Sequence, residues 1–189
     1  MWDLTPAQEI ADFEPAFIKI PSASKQHYEM LSWLRDHYQG QIHLSFGMTS
    51  RDEKERIVQF FEEKGQGKDL VIYACTFGYP VPFEALCLYE ITRLRKQFRH
   101  RVRSIGFSGH HLGIAVEIAA RTLGAEWIER HFTLDRTWTG TDHAALLESN
   151  GLRRLCRDVK HVGQAIRYKD EEALSIEEEQ RDKLRWVSS

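Results

Sequence analysis

The feature that most constrains the fold is an alternation. Five short apolar runs recur along the chain, each followed by a longer amphipathic stretch. The runs are Phe17–Ile20, Gln41–Phe46, Leu70–Cys75, Val102–Phe107 and Glu126–Phe132. β-Branched or aromatic residues fill several of them and turn residues close them, as strands require. The helix candidates are Gln26–His37, Arg51–Lys64, Pro82–Phe98, Gly113–Leu123, Ser149–Ile166 and Ile176–Leu184. Ser50-Arg51-Asp52-Glu53 reads as a capping box ahead of Ile57, Phe60 and Phe61. Gly124 reads as the stop of a helix whose apolar face is Ile114, Ile118 and Leu123. Successive strands start roughly 25–30 residues apart, the size of a βα unit, so the order predicts a parallel sheet with right-handed crossovers.

An open doubly wound sheet and a barrel both satisfy that order. Polar residues recur at the C-terminal ends of nearly all the strands: Lys19 and Ser22, Ser45, Thr76 and Tyr79, Ser108 and His110, Glu129 and His131. A (β/α) barrel builds its active site at that end. No GxGxxG follows the first strand, so the dinucleotide-binding fingerprint is absent. The expected class is therefore α/β of the (β/α)8 TIM-barrel type, present in part, because five strands are legible where a closed barrel has eight.

Bulk composition removes several function classes. The 189 residues suffice for one domain with a sizeable core. Charge is balanced at 26 basic against 28 acidic residues, which gives no footprint for a nucleic-acid partner. No apolar run approaches the ~18–20 residues of a membrane span, and Met1-Trp2-Asp3-Leu4 lacks a signal-peptide pattern. Cys75, Cys87 and Cys156 have no metal-type spacing and fit reduced thiols, so a cytoplasmic location is expected.

Two segments concentrate the chemistry: Gly106-Phe107-Ser108-Gly109-His110 and Glu129-Arg130-His131-Phe132-Thr133. Side chains two apart on a strand share a face, so adjacent strands would aim Ser108, His110, Glu129 and His131 into one space. A divalent metal held by two imidazoles, with open positions for water and substrate, is one reading. Hydrogen-bonded or solvated strand-end residues are the other. His111 should face the opposite side and be structural. Lys19, flanked by apolar residues, needs an anionic partner if buried. It either reaches out to water or binds a phosphate or carboxylate, with Ser22, Ser45 and Ser108 as hydroxyl donors. In the loop Thr137–His143, Asp142 binds substrate hydroxyls or caps the turn. The charged run Glu171–Lys183 reads as a solvated helix face.

The strings GFSGHHLGI (106–114) and LGAEWIERHFTLDRTWTGTDHAALLE (123–148), with FIKIPSAS, LSFGM and CTFGYPVP less closely, resemble the sialic acid synthase family (N-acetylneuraminate synthase and relatives). The resemblance runs from about Trp2 to about Gln164. GTDHAALLE argues against the deoxyheptulosonate synthases of the same barrel group. Members of the family condense phosphoenolpyruvate with an N-acylated sugar aldehyde, N-acetylmannosamine-like. They form a nine-carbon 2-keto acid and release phosphate. The resemblance implies that His110 and His131 ligate the catalytic divalent metal, manganese first, with magnesium or cobalt as alternatives. It implies phosphoenolpyruvate contacts at Lys19, Ser22, Ser45 and Ser108, an acid near the reacting atoms at Glu129, and sugar contacts at Tyr79 and Asp142.

The chain also departs from the family. Phe46 and Phe77 stand where members have small polar residues, near the phosphate and sugar positions, and Ser24 stands where many have Glu. The resemblance equates the five strands with strands 4–8 of the barrel. Residues 1–168 would form this partial barrel and 169–189 a charged helix or tail, without the family's C-terminal antifreeze-like domain. The edge strands Phe17–Ile20 and Glu126–Phe132 then need covering by another copy, by a loop, or by a partner chain that supplies the missing strands. The rival to a synthase is a silent homologue kept as a binding or assembly module, or one half of a split enzyme.

Overall fold

The computed structural model describes residues 1–139, 145–184 and 186. Five strands, β1 (Phe17–Ile20), β2 (Gln41–Ser45), β3 (Leu70–Cys75), β4 (Ser104–Gly109) and β5 (Trp127–Arg130), form one sheet. The strand order follows the sequence and every pairing is parallel. Among the described residues seven α-helices accompany them: α1 (Leu4–Ala11), α2 (Tyr28–His37), α3 (Arg51–Glu62), α4 (Tyr89–Phe98), α5 (Ala115–Thr122), α6 (Ser149–Ala165) and α7 (Ser175–Leu184). Right-handed crossovers that all step the same way put every connecting helix on one face of the sheet. The other face is then left to curl on itself, which is barrel construction.

Side-chain contacts prove the curl. Strands lie about 4.8 Å apart, so the edges of a flat five-stranded sheet would be separated by roughly 19 Å. Here Lys19 on β1 and Glu129 on β5, the two edge strands, form an ion pair at 3.4 Å. The rings of Phe17 and Trp127, also on β1 and β5, lie 5.7 Å apart. The expected partial barrel is the observed architecture.

The two faces of the sheet carry different chemistry because successive residues alternate. Ile18, Ile20, Ile42, Leu44, Ile72, Ala74 and Phe107 face the helices and join Met30, Leu31, Leu34, Ile57, Phe61, Ile91, Leu94 and Phe98 in one core. Full burial of each such side chain contributes about 1.5–3 kcal/mol, which is what docks the helix layer. The inner face is polar and aromatic. His43 stacks on Phe17 at 4.4 Å and meets the edge of Trp127 at 4.6 Å. Tyr73 donates its hydroxyl hydrogen to His43 Nδ1 at 2.7 Å. This aromatic layer forms the floor beneath the strand ends.

Several local expectations hold. Ser50 and Glu53 cap α3 reciprocally, and Gly124 adopts φ +98° directly after α5, a conformation that favours glycine. Others need correction. β4 starts at Ser104, because Val102 is buried in the preceding turn and is not part of the strand. α4 starts at Tyr89, because a 3₁₀ turn at Phe83–Ala85 occupies the region read as its first turns. Leu4–Ala11, not among the helix candidates, forms α1, which packs on α2. Pro6 sits in its first turn, where its missing N–H costs nothing. Phe46, placed near the substrate positions by the resemblance, is 3% exposed and belongs to the core.

Candidate active site

The strands end around an open cavity of about 310 Å³. Lys19, Ser22, Ser45, Ser108, Glu129, His110, His131 and Tyr79 all line it, together with Cys75, Phe77, Pro21, Met1 and Trp2. Register explains the convergence: Cys75 on β3 pairs with Ser108 on β4, which pairs with Glu129 on β5. These residues lie on one row of the inner face, and His110 and His131 follow two positions after Ser108 and Glu129. Asp142 lies outside the described residues.

One side of the cavity is cationic and hydroxylic. Lys19 Nζ donates to the Ile20 carbonyl at 3.0 Å and faces Glu129 Oε1 at 3.4 Å. Burial lowers the pKa of this ammonium, and the Glu129 charge opposes the shift. Ser45 Oγ donates to Glu129 Oε2 at 3.5 Å. Ser22 Oγ accepts from the Gly47 N–H at 3.0 Å. A Cβ at Gly47 would come within 2.7 Å of that hydroxyl, so only glycine lets the backbone approach. The Cys75 thiol lies within 4.0 Å of His110, and burial raises its pKa, which keeps it protonated.

The other side is aromatic and imidazole-rich. His110 and His131 have ring centroids 5.2 Å apart. The Tyr79 ring lies 4.6 Å from His110, and its hydroxyl is 3.4 Å from His131 Nε2. His110 Nδ1 donates to the Thr76 carbonyl at 3.1 Å, which leaves Nε2 as the lone-pair nitrogen. Burial pulls the His110 pKa below its usual value, outweighing that hydrogen bond, so the ring is neutral at pH 7. A neutral imidazole whose second nitrogen is tied to a carbonyl is the arrangement metal-ligating histidines adopt. The pair therefore fits part of a divalent-metal shell. Among the described residues no set of three or more His, Cys, Asp or Glu side chains is arranged to hold a metal, so water and substrate would fill the remaining positions.

A family model described as the NeuB family matches residues 1–171. The chain belongs to the NeuB family. Its relatives include the N-acetylneuraminate-9-phosphate synthase of Homo sapiens, 40% identical over 123 residues that make up 65% of this chain and 33% of that protein. The N,N'-diacetyllegionaminic acid synthase of Campylobacter jejuni is 35% identical over 126 residues, 66% of this chain and 37% of the relative. The crystal structure of an N-acetylneuraminic acid (sialic acid) synthetase from Leptospira borgpetersenii, in complex with citrate, superposes with a TM-score of 0.84 at 26% identity. It is matched over 97% of this chain and 64% of its own. The chain thus spans about a third of the length of these curated relatives. A truncated 3-deoxy-D-arabino-heptulosonate 7-phosphate synthase from Thermotoga maritima has a TM-score of 0.69 at 18% identity and shares the fold alone.

Sequence reasoning missed some members of this site. Cys75 looked like an ordinary reduced thiol, although its position directly before Thr76 at a strand end was the available signal. Phe77, which stands where family members have a small polar residue, forms an aromatic rim with Tyr79 at 5.4 Å between centroids. Arg130 and Glu117, a buried pair behind the histidines, carried no legible pattern. No helix among the described residues is long and apolar enough to cross a membrane.

Proposed function

We propose that this NeuB-family chain carries part of a synthase that condenses phosphoenolpyruvate with an N-acylated sugar aldehyde of the N-acetylmannosamine type. The products are a nine-carbon 2-keto acid and phosphate. One observation carries the reading: an ammonium, three serine hydroxyls, a carboxylate and two imidazoles line a single cavity at the C-terminal end of the strands. Lys19, Ser22, Ser45 and Ser108 hold the phosphate and carboxylate by charge-assisted hydrogen bonds. His110 and His131 hold the divalent metal, manganese first and magnesium or cobalt second. When bound, the metal polarises the aldehyde carbonyl as a Lewis acid. Phe77 and Tyr79 wall the acceptor side, and Asp142 contacts the sugar. C3 of phosphoenolpyruvate bonds to the aldehyde carbon, water adds at C2, and the C2–O bond to phosphate breaks. Glu129 orients that water or takes its proton.

β1 and β5 are the edge strands of the sheet, and three further βα units, or a second copy of the chain, would cover them. The test is phosphate release from phosphoenolpyruvate, manganese and N-acetylmannosamine, by the chain alone and with the units that complete the barrel. One phosphate released per sugar consumed is the expected result. No release from a folded, manganese-loaded barrel sinks the reading for that sugar. A silent homologue is the second reading, favoured by the bulky Phe77 ring in the cavity wall. It predicts manganese binding without turnover.

A further inference from the structure

Alternation along β5 points Glu129 and His131 into the cavity, so Arg130 between them must face the helices. On the other strands that face carries Ile18, Ile20, Leu44, Ile72 and Phe107, all buried. A guanidinium in such a layer is costly unless it is paired. Arg130 has only 2% of its side chain exposed, and it meets Glu117 of α5, which is wholly buried. Burial pushes the Glu117 carboxyl up. The hydrogen bond from His111 and the Arg130 charge outweigh that and hold it ionised, below the usual carboxylate range.

Nη1 also lies 3.4 Å from His111 Nε2, and the remaining Arg130 bonds go to backbone. Nη1 donates to the Gly113 carbonyl at 2.7 Å, and Nη2 donates to the carbonyls of His111 at 2.6 Å and Ala145 at 3.0 Å. One side chain of the strand that carries Glu129 therefore grips the segment next to His110. It also grips the segment that returns to pair with His131, where the Leu147 N–H donates to the His131 carbonyl at 2.9 Å. Arg130 Nε, Glu117 Oε2 and His111 Nδ1 are buried without a partner. A cluster kept for stability alone would be poor value, since well-packed apolar residues stabilise such a place as well or better.

We propose that Arg130, with Glu117 as its counter-ion, is a positioning residue that sets the separation and orientation of the His110 and His131 rings. It touches no substrate and acts through the loops that carry the two imidazoles. The consequence for metal binding rests on the proposed ligand role of those histidines; the positioning itself does not.

Two variants and two measurements test the idea on the whole protein. Arg130→Lys keeps the charge beside Glu117 but loses the planar fork. The double variant Arg130→Met/Glu117→Leu removes both charges at similar volume, and a stability role predicts that it behaves as wild type. The first measurement, in metal-free protein, is the nuclear Overhauser contact between the His110 and His131 rings and between the Tyr79 and His110 rings. The second is calorimetric titration with manganese. In the folded variants the ring contacts are expected to weaken or vanish and manganese affinity to fall about 10–100-fold, the effect of removing an outer-shell partner. Ring contacts retained in whichever variants fold overturn the proposal. If wild type itself binds no manganese, the metal assignment fails and the ring contacts still decide the positioning role.

Discussion

The buried His43 makes stability depend on acid in a calculable way. Its side chain is fully buried, with Nδ1 accepting from Tyr73 and Nε2 3.3 Å from Gln41 Oε1, so the neutral ring satisfies both nitrogens. Burial, then the nearby Lys19 charge, push its pKa from 6.5 down to about 4, with Glu129 opposing and Arg103 adding slightly. The remaining groups packed on it, Phe17 and Trp127, cannot titrate. Between pH 6.5 and about 4 the unfolded chain binds a proton at this residue and the folded chain does not. Stability therefore rises with pH across that window and is lost as pH falls through it. The slope is about 1.4 kcal/mol per pH unit, and the total loss by pH ~4 is about 3 kcal/mol. Urea unfolding of wild type and His43→Gln at pH steps from 7 to 4 isolates the effect, because carboxylates common to both cancel in the difference. The wild-type curve should drop about 3 kcal/mol further than the variant's. Parallel curves would refute the reasoning, since they would mean that His43 takes up its proton equally in both states.

Other expected outcomes follow from the same geometry. His110→Ala and His131→Ala should each abolish measurable manganese binding by calorimetry; unchanged affinity in both removes the proposed metal site. Lys19→Met deletes the cavity's ammonium, and phosphoenolpyruvate affinity by titration should fall about 10–100-fold, the value of a charged hydrogen bond. Equal affinity would show that the anion sits elsewhere. Phe98, fully buried at the end of α4, should cost about 3–5 kcal/mol when cut to Ala, read by urea unfolding, without moving residues of the cavity.

Legibility in the sequence followed how local each cause was. Ile18 and Ile20, Ile42 and Leu44, and Leu70 to Ala74 are apolar runs that only a strand buried by helices accommodates, so the sheet and its order could be read directly. Lys19, Ser108, His110, Glu129 and His131 were legible because a strand end positions side chains by parity alone. α1 was hidden because eight residues with Pro6 give too short a period. Phe46 was misjudged because a residue just past a strand can turn to either face, and only packing decides which. Arg130 and Glu117 are 13 residues apart on different elements and meet only after α5 packs behind β5. No spacing rule announces such a pair.

The contact between Lys19 and Glu129 has a kinetic consequence. The cation and the carboxylate satisfy each other at 3.4 Å across the cavity. Under the proposed function an incoming phosphate would compete for Lys19, and Glu129 would then be released toward the space where an acceptor would sit. Binding order would then be built into the resting state: the anion enters first, and the neutral acceptor finds its carboxylate only afterwards. Product-inhibition patterns of a sequential ordered reaction are expected in the complete enzyme, and a random pattern would show that the two groups exchange partners freely.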